Sequence, residues 1–430
     1  MKKLLRYYTQ KMKNLTLNQK IVWIIAIGFL LRFGYITFCT QLPLGGDTTG
    51  TYKPIALSLT HGDGFHDPLR NAPTLRTGPV YPLFLGAVYW LFGEEDYWVR
   101  FFQSLISALM IYIVFLTAQK LFMDERISLL ASWVTAFYPA FIGYSGILLT
   151  ETLSAFMTIW FIYCFIIYWK DQSISNSISL GMLAGGLILL RGEMLGVIMI
   201  ILVISFFYNI KCKTLKNTKL VVLTMLLLLI PWTVRNYRLT HRILPVAAID
   251  GIALWCVAGN NDILEYRNAE NEILLSDSLV EIQINNVFRK KSFAEIKKHP
   301  YSYFIKNGIR RIARFWLGGH SNAFIWGQIS FEQAYYQSSY ITLLFKTLLL
   351  LINTTLIGLG MYGLVSSMLA NPRVLPVIVG IMLVVLGKNF MHYLFYSSNR
   401  YHLMLLPILI IFASSIIVQF TKYKIKKLIV

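Results

Sequence analysis

Three carboxylates stand out by their place in the chain. Asp47 follows the first apolar run, in Leu44-Gly45-Gly46-Asp47, while Glu151 and Glu193 each sit at the edge of a later run. A carboxylate at the end of a membrane-length apolar stretch is costly unless paired or solvated, so each is a candidate for function. Basic and polar residues recur at similar boundaries. Arg76 precedes Tyr81 in Arg76-Thr77-Gly78-Pro79-Val80-Tyr81-Pro82, and Arg191 lies just before Glu193. Arg235 and Asn236 close Pro231-Trp232-Thr233-Val234-Arg235-Asn236, Asn260 follows Gly259, and Arg400-Tyr401 lies beyond His392. Arginine grips phosphate through paired hydrogen bonds, so several arginines at one surface suit a phosphorylated ligand.

Each of these residues also has a plain structural reading. Asp47 could cap the helix that follows it. Glu151 could be an acid favoured by a helix dipole. Arg191 and Glu193 could form a structural ion pair, and Arg235 could snorkel to an interface. Arg32, inside the first apolar run, reads as snorkelling or internally paired, and His320 and His392 as structural. Two carboxylates without a histidine at fixed spacing leave a divalent metal ion open as a cofactor and the metal ligands unknown. No P-loop, GxGxxG, HExxH or GxSxG is present, which argues against ATP-driven transport, nicotinamide chemistry, zincin proteolysis and serine hydrolysis. The cysteines Cys39, Cys164, Cys212 and Cys256 show no metal-ligand spacing and read as packing residues.

The elements that must position these groups are membrane helices. Of 430 residues, 56% are hydrophobic and only 14% charged, whereas soluble domains are about 25% charged. The formal net charge of +20 could suggest nucleic acid, but the basic residues flank apolar runs, which fits lipid headgroups or a phosphorylated ligand better. Runs near 21–40, 97–121, 127–147, 150–169, 174–190, 194–210, 219–236, 341–369, 373–396 and 401–420 each approach the roughly 20 residues a spanning helix needs. The run 79–93 is shorter and reads as an interfacial helix. The expectation is an all-α polytopic membrane protein of about ten spans.

The positive-inside rule then places both termini, Lys120, Arg126 and Lys170 in the cytoplasm. Asp47, Glu151, Glu193 and the arginines fall on the outer face. Three regions follow. Residues 1–236 form a transmembrane core whose first outer loop, 41–96, carries Asp47. Residues 237–340 form a basic outer segment, in which Phe288–Trp316 reads as amphipathic helices broken at Pro300. Residues 341–430 return to the membrane.

The order of these motifs is itself informative. Gly46-Asp47 is followed by Tyr52, Gly62-Asp63-Gly64-Phe65, the Arg76–Pro82 stretch, Leu91-Phe92-Gly93, Tyr138-Pro139 and Thr150-Glu151, and later by Arg235-Asn236-Tyr237 and Arg400-Tyr401. Together they resemble the polyprenyl-phosphate-dependent glycosyltransferases of the GT-C fold, of the kind that includes protein O-mannosyltransferases and the lipid A aminoarabinose transferase. The resemblance implies a GT-C fold, a polyprenyl-phosphate-linked sugar as donor, and an acceptor lipid, glycan or protein at the outer face of the inner (plasma) membrane, with no nucleic-acid partner. It matches the essential catalytic acid to Asp47 and an assisting acid to Glu151. Arg76, Tyr81, Arg191, Glu193, Arg235, Asn236, Asn260, Arg400 and Tyr401 are then candidates for holding donor phosphate and sugar. The spacing from Asp47 to Tyr52 is one residue longer than the family pattern. No separate C-terminal soluble domain is evident, so protein O-mannosylation is not favoured over transfer to lipid or glycan. A lipid-diphosphate-oligosaccharide ligase or polymerase and a lipid-linked-sugar flippase stay open as alternatives.

Overall fold

The computed structural model describes residues 15–39, 46–67, 72–211, 216–248, 250–258, 278–318, 320–324, 327, 329–370 and 375–429. The chain is a multi-pass membrane protein. Each of the ten expected apolar stretches contains a helix among the described residues, but the count of ten spans is not reached. Among the described residues, seven helices are long and apolar enough to cross a membrane. An eighth span counts if the bent pair Glu125–Phe137 and Pro139–Ser145 is read as one. Ile174–Leu190 and Met194–Phe206 are shorter apolar helices.

The bend has a local cause. Pro139 has no N–H to donate and stands at the start of the second helix, where a proline is tolerated. The break leaves the last carbonyls of Glu125–Phe137 without helical partners. Arg32, fully buried in the first span, supplies them: its guanidinium donates to the oxygens of Thr135 at 3.1 Å and Ala136 at 3.0 Å, and also to Gly28 and Ser107. Arg32 therefore pairs internally rather than snorkelling.

The last span lies at the centre. In its best window 83% of residues are buried, against 28% in Leu17–Phe38. A helix that is apolar all round sits in a protein core or in lipid, and here Leu403 through Phe412 are enclosed by protein. Glycines let its neighbours approach: a Cβ on Gly360 or Gly363 would collide with the carbonyl oxygens of Leu409 or Phe412. Ile174–Leu190 packs on Lys216–Thr240 in the same way, through Gly181 and Gly185.

Helix ends gather at two faces. Lys422 pairs with Asp124 at 2.6 Å, and Lys170 donates to the oxygen of Lys120 at 3.2 Å, at one end of the bundle. The other end holds the starts of Glu151–Lys170 and Tyr401–Leu405 and the ends of Leu17–Phe38, Ile174–Leu190 and Leu375–Leu394. Helix Val80–Phe92 lies at that second end, between Lys53–His61 and Asp96–Phe122. It buries Tyr81, Leu85 and Tyr89 and exposes Trp90, Leu91 and Phe92. A short two-stranded ribbon, His66–Asp67 with Ala72–Pro73, braces the loop before it.

Candidate active site

Asp47 stands just before a π-helical turn, Thr48–Tyr52, and makes no capping hydrogen bond. That removes the capping role. The turn is pinned where Thr48, fully buried, donates its hydroxyl to the oxygen of Leu148 at 2.6 Å. Leu148 belongs to the link that leads into Glu151, so one hydrogen bond brings both acids to the same place. Tyr52 packs edge-on to Tyr81, with ring centroids 5.0 Å apart, and Tyr81 is fixed by donating to Gln103 at 2.9 Å. Tyr81 thus forms the floor under the turn, not an exposed ligand.

The acids and bases then alternate along one line. Arg400 is ion-paired with Asp47 and, through Nε, with Glu151 Oε1 at 3.2 Å. Arg191 reaches the same Glu151 oxygen at 3.2 Å and Glu193 at 3.9 Å. Lys388 closes the line, donating to Glu193 at 2.9 Å. Three carboxylates and three cations sum to zero charge. Exposure differs along the line: the Asp47 side chain is 50% exposed, Glu193 25%, Glu151 2% and Lys388 0%. Tyr401 lies between the two guanidinium groups, 5.2 Å from that of Arg191 and 5.4 Å from that of Arg400, and stacks on His392.

Electrostatics keeps Glu193, Arg191 and Arg400 ionised. Burial pushes the Glu193 carboxyl up, but Lys388 and Arg191 outweigh it and hold the group well below the carboxylate range. Burial alone would weaken the protonation of Arg191 and Arg400. Glu151 on both sides, with Glu193 and Asp47, raises both instead. Two polar atoms are left unspent in the middle. Glu151 Oε2 is buried with no hydrogen-bond partner, and Arg400 Nε meets Glu151 at ion-pair distance without hydrogen-bond alignment. A buried acceptor left without a hydrogen bond costs about 1–3 kcal/mol.

Other expected residues lie apart from this line. Arg235 spends its guanidinium on the oxygens of Thr74 at 2.9 Å and Phe65 at 3.0 Å, and on Asn236 at 3.1 Å, between the rings of Phe65 and Trp232. Asn236 is buried and donates to Leu244 and Val246. Arg235 is a strut that ties Phe65 and Thr74 to the Lys216–Thr240 helix, and Asn236 ties the same helix to Leu244 and Val246. Arg76 follows Thr74 in that loop, which meets the cluster at Gly78: a Cβ there would collide with the oxygen of Leu189, two residues before Arg191. Asn260, residues 40–45 and the basic residues 1–14 lie outside the described residues.

Lys388 was missed in the sequence, although a lone lysine within an apolar run is a signal in itself. Ser154, which accepts from Arg191 Nε at 3.1 Å, carries no such signal. Among the described residues no three His, Cys, Asp or Glu side chains converge as a metal site. A guanidinium stands where a cation between Asp47 and Glu151 would have to sit, so the described residues there do not form a metal cage.

Comparison with known proteins agrees with this architecture. The chain superposes on the oligosaccharyltransferase of Archaeoglobus fulgidus with a TM-score of 0.58 at 17% identity, covering 97% of this chain and 52% of that one. The fold is GT-C. The same GT-C enzyme in complex with an inhibitory peptide and a dolichol-phosphate gives 0.57 at 15% identity, with the same coverage of both chains. This chain spans about half the length of that oligosaccharyltransferase. ArnT from Cupriavidus metallidurans aligns at TM-score 0.44 and 13% identity, over 92% of this chain and 77% of that one. Residues 76–234 match the family of dolichyl-phosphate-mannose-protein mannosyltransferases. No curated protein sequence matches the chain.

Proposed function

We propose that the protein is an inverting glycosyltransferase that moves a monosaccharide from a polyprenyl-phosphate donor to a lipid, glycan or protein hydroxyl. The observation that carries this reading is Arg400 bridging the half-exposed Asp47 and the buried Glu151, with a Glu151 oxygen left without a partner. The match to a family that uses dolichyl-phosphate-mannose supports the donor class.

The acceptor oxygen attacks the anomeric carbon from the face opposite the phosphate. The bond from that carbon to the phosphate oxygen breaks, and the polyprenyl phosphate leaves with the bonding electrons. The acceptor's proton passes to Asp47, or Asp47 orients the hydroxyl as it is lost. The donor phosphate competes with Asp47 for Arg400, which frees the carboxylate for that proton. Arg400 and Arg191 stabilise the charge that develops on the leaving phosphate. Glu151 Oε2 accepts from a sugar or acceptor hydroxyl.

An apolar groove between Phe165, Trp169, Ile201, Ile204, Val379 and Leu383 runs along three of the helices that meet at the site. It begins about 20 Å down the Glu151–Lys170 helix at 1.5 Å per residue, which suits a long isoprenoid tail. Under the positive-inside rule the cationic end with Lys120, Arg126 and Lys170 is cytoplasmic, so the site faces outward and both termini lie inside.

The test is release of polyprenyl phosphate from a panel of polyprenyl-phosphate monosaccharides, with the chain in nanodiscs and cell-envelope extract as acceptor. Wild type should release it and Asp47→Asn should not. Near-wild-type turnover by folded Asp47→Asn would remove Asp47 from the reaction.

A further inference from the structure

The surface from Phe288 to Leu317 combines two properties that an ordinary polar exterior keeps apart. It is cationic: Lys290, Lys291, Lys297, Lys306, Arg310 and Arg314 are exposed. The nearby carboxylates are already engaged, Glu295 by Lys298 and His299 at 3.7 Å each and Asp250 by Arg289 at 2.7 Å. It is also apolar: Phe293, Tyr301, Phe304, Ile305, Ile309 and Leu317 all stand out from the protein. Exposed apolar side chains in such a cluster mark a binding surface, not a solvated one.

Where the two properties meet, a groove of about 750 Å³ opens at the junction of the Ser278–Lys298 helix and the turn that follows. Phe293, Ala294, Ile296, Pro300 and Phe304 line it, and Lys297 stands at its side. The Ser278–Lys298 helix ends just before Pro300, which lacks an N–H to continue the hydrogen-bond ladder. The back of this surface is firmly seated. Arg311 donates to the oxygen of Tyr393 at 2.7 Å, and the Tyr393 hydroxyl donates to the oxygen of Phe304 at 2.6 Å. The groove is therefore a formed feature, held against the same helix that carries Lys388.

We propose that this groove binds an anionic membrane phospholipid, with an acyl chain between Phe293 and Phe304 and the phosphate at Lys297 and Lys306. The occupant follows from the pairing of charges with an apolar slot. A soluble polyanion would use the lysines and leave the phenylalanines wet, and a zwitterionic lipid would gain little from the cations. Each Lys or Arg near an anionic headgroup strengthens binding about fivefold. The proposal is separate from sugar transfer: the site line of Asp47, Glu151 and Arg400 takes no part in it.

The test is native mass spectrometry of the full chain in detergent with phosphatidylglycerol or phosphatidylcholine added at equal amounts. Wild type should retain phosphatidylglycerol selectively. Lys297→Glu with Lys306→Glu should lower that occupancy more than tenfold, and Phe293→Ser with Phe304→Ser should lower it several-fold. All four positions are surface residues, so melting should be unchanged; if a double variant misfolds, Lys297→Gln alone should still cost about fivefold. Equal retention of both lipids, or retention indifferent to all the substitutions, would overturn the proposal. Loss on charge reversal alone, with displacement by dextran sulfate and no effect of the phenylalanine changes, would assign the surface to soluble polyanions instead.

Discussion

Removing Arg400 should separate stability from chemistry. The six charged groups of the line balance, three against three, so Arg400→Ala leaves one negative charge in excess beside Glu151, which is 2% exposed. Breaking a buried ion pair costs roughly 3–5 kcal/mol. Arg191 stays on the same Glu151 oxygen at 3.2 Å, so the lower end of that range applies. The bond to Asp47 is half in solvent and adds less than about 1 kcal/mol. The expected destabilisation is about 3 kcal/mol. Loss of a cation at the leaving phosphate costs a further ~10²–10³ in turnover. Adding Glu151→Gln to Arg400→Ala restores charge balance and should recover most of the stability but none of the activity. Arg400→Lys keeps the charge but cannot reach both carboxylates at once, so it should fall between wild type and alanine. The assays are thermal melting in nanodiscs and initial rates of polyprenyl-phosphate release. Turnover of Arg400→Ala within threefold of wild type, or a double variant no more stable than the single one, would refute the reasoning.

Arg32→Met removes the donors that serve Thr135 and Ala136 at the helix break; it should cost about 2 kcal/mol, read as a lower melting temperature, and an unchanged melt would contradict the capping role. Glu193 is held below its ordinary value of 4.5, so its contribution is complete above that value and is lost as pH falls below it. Arg191 and Arg400 are raised further above their already high ordinary value and stay charged throughout. Melting temperature should therefore be flat from pH 6 to 9 as far as these groups decide it, and fall in acid less steeply in Glu193→Gln than in wild type; identical acid limbs would exclude Glu193 as the source. Gly78→Ala places a Cβ against the oxygen of Leu189 and must shift the loop from Arg191. A displacement near 1 Å can cost about 10²-fold in rate, whereas Gly196→Ala, with open space around it, should be neutral. Equal rates for the two variants would deny the loop its positioning role.

The sequence by itself determined which segments are apolar enough to be buried or to cross a bilayer, because run length and composition are local properties. It set 79–93 apart as too short to span and placed Asp47, Glu151 and Glu193 at the edges of apolar runs, but it read 127–147 as one span and did not foresee the bend at Pro139. What each charged group does there was decided by tertiary structure. Glu151 meets Arg191 across 40 positions, Lys388 meets Glu193 across 195, and Arg400 meets Asp47 across 353. An ion pair forms only where packing brings two helix ends within a few ångströms, and nothing in either local sequence encodes that approach. Arg235 shows the reverse case. Its motif marks a boundary arginine as plainly as Arg400 does, yet the loop carbonyls of Phe65 and Thr74 claim its donors. The same guanidinium chemistry serves as a strut in one place and as part of the charged line in the other, because only the fold decides which acceptors come near.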